Sequence, residues 1–160
     1  MRVRLTAALL CALAAGAPSP ASALLCGTVL EPVRATTTGL SFGSYFPGNG
    51  DLPVNGTITL DCGLLSLDLL PNFTLSLSGG NGGNPTTRYM LRSGTHLNYN
   101  LYTTNGHGSV WGDSSGGVKQ TYNTLLNLGS VNFTVYGLVF GGQFVTPGMY
   151  TDSVTVTVNY

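Results

Sequence analysis

The chain's two imidazoles, His96 and His107, are its natural candidates for acid–base chemistry. A histidine works as a general base when a nucleophile meets one ring nitrogen and a carboxylate orients the other. His107 lies in a glycine-flanked turn, Asn105-Gly106-His107-Gly108, and would need both partners brought to it from elsewhere. The pattern G-x-S-x-G occurs at Gly39-Leu40-Ser41-Phe42-Gly43 and at Gly112-Asp113-Ser114-Ser115-Gly116, but neither is followed by the helix-forming run that a nucleophile elbow requires. No H-E-x-x-H pair occurs. The run Gly-Gly-Asn-Gly-Gly-Asn at 79–84 has the glycines of a phosphate cradle, but no Gly-Lys-Ser/Thr follows it. It also lacks the aspartates of a calcium-binding repeat and occurs once, so it reads as a loop. These residues point away from an enzyme and imply no cofactor. The histidines read as solvated or strand-edge side chains.

Contact chemistry is a second possibility. Trp111-Gly112-Asp113 and the tyrosines Tyr45, Tyr89, Tyr99, Tyr102, Tyr122, Tyr136 and Tyr150 combine an apolar body with a polar tip. In exposed loops they would stick to apolar or sugar surfaces. In strands they would be core or strand-surface residues, and that structural reading is preferred for each. Three sequons, Asn55-Gly56-Thr57, Asn72-Phe73-Thr74 and Asn132-Phe133-Thr134, are of the kind that arises by chance in a chain rich in Asn and Thr.

Cysteine chemistry depends on export. Arg2 and Arg4, the apolar run at 5–15 and Ala21-Ser22-Ala23 form a secretory signal with an A-x-A cleavage site. The expected signal peptide is 1–23 and the expected mature domain is 24–160. No segment is long enough to span a bilayer as a helix. Cys11 leaves with the signal, and Cys26 and Cys62 enter an oxidising compartment. A disulfide between them is the default reading, worth about 4 kcal/mol by loop-closure entropy. The rival is a metal site, for which no histidine stands at ligand spacing.

Charge excludes another class. After the signal, Arg34, Arg88, Arg92 and Lys119 stand against Glu31, Asp51, Asp61, Asp68, Asp113 and Asp152. A slightly acidic domain without a basic patch is a poor match for nucleic acid.

The elements that must position these residues are strands. Ile58, Leu60 and Cys62 share one face of 57–62, and Phe73, Leu75 and Leu77 share one in the next run. Leu97, Tyr99 and Leu101 do so in 97–102, and Val131, Phe133 and Val135 before Tyr136-Gly137. With 40–45 and the last run, period-two alternation predicts about seven short strands. Clusters such as Pro47-Gly48-Asn49-Gly50-Asp51 and Ser114-Ser115-Gly116-Gly117 separate them. The helix-ambiguous stretch 64–70 is short and ends at Pro71. The pattern is that of an all-β sandwich in one domain.

The final run, Val154-Thr155-Val156-Thr157-Val158-Asn159-Tyr160, puts Val154, Val156, Val158 and Tyr160 on one face. A half-buried strand at the end of the sequence offers ladder groups and an apolar row to whatever lies beside it.

Ordered landmarks then match a family. They are Cys26, Leu40-Ser41-Phe42-Gly43-Ser44-Tyr45, Gly56-Thr57-Ile58-Thr59-Leu60-Asp61-Cys62, Arg88-Tyr89-Met90, Leu97-Asn98-Tyr99-Asn100-Leu101-Tyr102 and Trp111-Gly112-Asp113. Tyr136-Gly137, Gly142-Gln143, Pro147-Gly148-Met149-Tyr150-Thr151-Asp152 and the final run complete them. Over nearly all of 24–160 the chain resembles a spore coat protein U domain, the module shared by pilins of archaic chaperone–usher fimbriae. The resemblance implies an immunoglobulin-like sandwich that lacks one strand. It implies a periplasmic chaperone that lends the strand, an outer-membrane usher, and neighbouring pilin subunits that replace the chaperone by β-strand addition. Val154, Val156, Val158 and Tyr160 would sit beside the groove, on an exported fibre at the cell surface. Pilins that polymerise carry a donor strand before the first cysteine. Here Leu24 and Leu25 precede Cys26 after cleavage, so the expectation is a subunit that accepts a strand without giving one, at a distal position. The competing readings are a self-contained secreted coat or matrix protein and a secreted carbohydrate-binding or hydrolytic domain resting on Trp111, His107 and Asp113.

Overall fold

The computed structural model describes residues 34–61, 73–122 and 130–159. Its strands are β1 (Arg34–Thr37), β2 (Leu52–Asp61), β3 (Phe73–Leu77), β4 (Tyr89–Arg92), β5 (Thr95–Tyr102), β6 (Gln120–Tyr122), β7 (Ser130–Val139) and β8 (Val156–Asn159). They form a five-stranded sheet in the order β1-β2-β7-β5-β4 and a three-stranded sheet in the order β6-β3-β8. Every ladder is antiparallel. The architecture is the all-β sandwich expected from the alternation, of the immunoglobulin-like kind that the family resemblance implies.

The spine of the larger sheet is the β2–β7 ladder, which pairs Ile58 with Phe133 and Leu60 with Val131. Period-two alternation turns Gly56, Ile58 and Leu60 inward and Thr57 and Thr59 outward. Tyr99 and Leu101 of β5 continue the inner face beside Val139 and Gly137. Across the sandwich, Phe73, Leu75 and Leu77 of β3 are all buried. Phe73 meets Phe133 edge-on at 6.1 Å between ring centroids, which joins the two layers. Each such side chain contributes roughly 1.5–3 kcal/mol on full burial.

The β4–β5 hairpin turns at Ser93 and Gly94, with φ of 45° and 83°. Two consecutive positive φ values make a tight turn whose twist matches the flanking strands.

Several sequence expectations are corrected. Residues 40–45 run without a ladder partner and form no strand. They alternate because Leu40 and Phe42 pack against the core from one side. β1, β4 and β6 carry too few apolar residues in alternation to be read as strands. The last strand begins at Val156, because Asp152 binds Asn81 and Thr155 binds the Ser78 side chain before the β3 ladder starts. The signal peptide 1–23, Cys26, Cys62, the stretch 64–70, Asn72 and Tyr160 lie outside the described residues.

Candidate functional site: an open groove between the sheets

Among the described residues the three-stranded sheet leaves part of the five-stranded one uncovered, and the shortfall lies beside β8. Among the described residues β8 has one ladder partner, β3. Residues leading into β8 form one wall. Thr151 exchanges backbone hydrogen bonds with Leu91 of β4 at 2.8 and 3.2 Å, and Ser78 donates to the Thr155 carbonyl at 3.0 Å. This wall therefore crosses from the larger sheet to the smaller one.

The facing wall is residues 38–46. Thr38 anchors it, donating its N–H to the Thr57 carbonyl at 2.9 Å and accepting the Thr57 N–H on its hydroxyl at 2.7 Å. At the other end the Tyr45 hydroxyl accepts the Gln143 N–H at 2.7 Å. Between these anchors, residues 39–45 form no backbone–backbone hydrogen bond among the described residues. Leu40 and Phe42 hold the segment against the sheet. Leu40 lies over Gly56, and a Cβ there would approach its side chain to 3.0 Å. Phe42 lies over Gly137 in the same way, also at 3.0 Å, and meets Tyr99 edge-on. The two glycines make a notch into which larger residues would not admit these side chains.

Between the walls runs a groove. One part, of about 380 Å³, is floored by Ile58, Leu77, Leu101 and Val135 and bounded by Val154 and Val156. A second part, of about 720 Å³, extends toward Tyr45, Val145 and Met149. Leu40, Phe42, Met90 and Tyr150 line both, so they form one trough. Phe144 and Met149 beside it are 92% and 82% exposed. An apolar trough flanked by backbone that has no ladder partner among the described residues is a feature that proteins ordinarily cover.

One polar cluster interrupts the apolar lining. The Tyr99 hydroxyl donates to Asp152 Oδ2 at 2.8 Å, while Asp152 Oδ1 accepts the N–H groups of Asn81 and Ser153. Burial, and then the bond to Asp152, push the Tyr99 phenol far above its ordinary value. Behind it Arg88 is 1% exposed. Its guanidinium donates to the carbonyls of Leu77, Ser78, Pro85 and Trp111 and to Asn100 Oδ1. Burial lowers its pKa, opposed by the nearby Asp152 and Asp113 carboxylates. A buried cation is tolerated where donors and acceptors are matched, and this fork is matched on all sides.

The residues singled out from sequence fall in different places. Val154 and Val156 line the groove, half-buried, whereas Val158 is buried in the core at 6% exposure. Trp111 is 1% exposed, and its ring N–H donates to the Leu75 carbonyl at 3.2 Å, so it offers no contact surface. Asp113 accepts the N–H and hydroxyl of Ser115. His107 sits edge-on to Tyr102, and His96 stacks on Tyr89 at 3.8 Å. No group of three or more metal-ligating side chains gathers among the described residues. Sequence reasoning assigned no role to Arg88, Asp152 or the Gly56–Gly137 notch. Arginine and aspartate placed in otherwise apolar β-sequence were the available signal.

Comparison with known proteins follows the same line. The family model for the Spore Coat Protein U domain matches residues 1–157. Among solved structures, the fold is similar to a chain in the crystal structure of the CsuC–CsuE chaperone–tip adhesion subunit pre-assembly complex, from archaic chaperone-usher Csu pili of Acinetobacter baumannii. The TM-score is 0.57 and the identity 23%, over 83% of this chain and 40% of that one. No curated protein matches.

Proposed function

The chain belongs to the Spore Coat Protein U domain family, and from that premise we propose that it is a structural and adhesive subunit of a chaperone–usher surface fibre. Its groove accepts a β-strand from a second polypeptide, first from a periplasmic chaperone and then from a neighbouring subunit delivered at an outer-membrane usher. The observation that carries this reading is the pair of groove walls. Among the described residues, 39–45 on one side and the outer edge of β8 on the other present backbone without a ladder partner across an apolar trough. A strand laid between them would pair with both walls and drop alternate side chains onto Ile58, Leu101 and Val135. The similarity to a chain of a chaperone–subunit complex supports the same partner class. Export with loss of 1–23 and a Cys26–Cys62 bridge belong to this proposal.

The test is recovery of the protein from the periplasm of its own host. A one-to-one complex with a second polypeptide that protects residues 39–45 and β8 supports the reading. A free, stable monomer to which no strand-forming peptide binds overturns it.

One observation favours a second reading. Leu40 and Phe42 already fill the Gly56–Gly137 notch from within. A secreted coat or matrix protein sealed by its own residues would use that seating, and it would be thermally stable without any partner.

A further inference from the structure

We propose that Asp152 makes one place in the groove a reader of a neutral hydrogen-bond donor. The accepted strand then carries a single small hydroxyl side chain, serine or threonine, on an otherwise apolar inward face. This rests on the strand-accepting reading above and specifies what that strand must look like.

Asp152 is the one charged side chain among the described residues that line either part of the groove. Its carboxylate accepts three hydrogen bonds, from the Tyr99 hydroxyl and from the Asn81 and Ser153 N–H groups. A carboxylate has about four acceptor directions, so about one remains. Gly80 closes the approach from behind, since a Cβ there would overlap the carboxylate. Asp152 lines the groove and is half-buried, so the groove is where a partner's donor could reach it.

Each class of incoming side chain meets this atom differently. An aliphatic one strips water from the open acceptor and returns nothing. An acidic one sets two carboxylates together. A basic one must shed its own hydration to reach a half-buried carboxylate that already accepts three hydrogen bonds. A hydroxyl supplies the missing donor without changing the charge.

The experiment uses the full mature chain and synthetic strand peptides with valine at alternate positions. A single threonine is walked through the inward positions, and aspartate is placed at each in parallel. One position should bind roughly tenfold more tightly with threonine than with valine, and aspartate there should bind least well. In Asp152→Asn the penalty on aspartate should disappear, because an amide can donate to it. Tyr99→Phe keeps the charge and frees a second acceptor direction, so it should widen the preference for threonine. If no peptide binds, the strand-accepting reading fails and this inference falls with it. If peptides bind but no position prefers threonine, this inference alone is overturned. A preference left unchanged in both variants overturns it equally.

Discussion

The hydroxyl of Tyr99 on β5 donates a 2.8 Å hydrogen bond to the carboxylate of Asp152, ahead of β8. It fastens the floor of the larger sheet to the wall that crosses to the smaller one. The Asn81 N–H reaches the same carboxylate, and its side chain donates to the Thr151 carbonyl. The groove wall is thus pinned from behind while its open side stays unpaired.

Burial of the Tyr99 hydroxyl gives the fold an alkaline limit. The Tyr99 phenol is raised, chiefly by burial, so the folded chain keeps a proton that the unfolded chain loses above pH 10. The contribution is complete below pH 10 and is lost as pH climbs beyond it, at up to about 1.4 kcal/mol per unit. Tyr102, also raised by burial, adds to the same limb. Urea titrations between pH 8 and 11 should show stability falling above pH 10, and Tyr99→Phe should flatten the fall. An equally steep decline in Tyr99→Phe would contradict the assignment.

Arg88 should resist conservative replacement. Its fork serves four carbonyls and Asn100 from inside the sandwich. Arg88→Met leaves several buried acceptors without donors, at about 1–3 kcal/mol each. Arg88→Lys presents a point charge with no planar fork and should recover little of the loss. Chemical denaturation checks this, and a lysine variant as stable as the parent would rule the cage out.

The glycine notch should show coupling. Gly137→Val places methyl groups against the Phe42 ring, which a bare Cβ would already approach to 3.0 Å. Overpacking of this kind costs about 1–3 kcal/mol. Adding Phe42→Ala should return part of it, giving a non-additive double-mutant cycle. Strict additivity would mean that the two residues do not touch.

Replacing Cys26 and Cys62 by serine should lower stability by about 4 kcal/mol and reduce the exported yield. An unchanged melting temperature in the double variant would refute the pairing.

Alternation made β2, β5, β7 and the core-facing valine of β8 legible, because half-buried strands must place Ile58, Leu60, Leu97, Leu101 and Val158 on one face. The same logic misread residues 40–45. Alternation reports which side of a segment is buried, and it is silent on whether backbone lies alongside. Leu40 and Phe42 are half-buried by the notch, with no ladder at all. The notch itself needs register to be seen. Gly56 pairs with Val135 and Gly137 with Val54, which sets the two glycines diagonally on adjacent strands. The Arg88 cage is drawn from β3, the turn at Pro85, β5 and Trp111, and sequence distance hides such convergence. Of the residues expected beside the groove, Val154 and Val156 line the trough and Val158 turns to the core, while Tyr160 lies outside the described residues.

Amide hydrogen exchange at residues 39–45 and at Val156 and Val158, the β8 amides that the antiparallel ladder turns away from β3, reports most directly on the borrowed strand. In the protein isolated from its host with its partner, both sets of amides should exchange slowly. Once the partner is stripped away, both should exchange within the dead time while Leu75 and Val139 stay protected. Slow exchange of both sets in the solitary monomer would mean that the sandwich seals itself, and the account would be wrong.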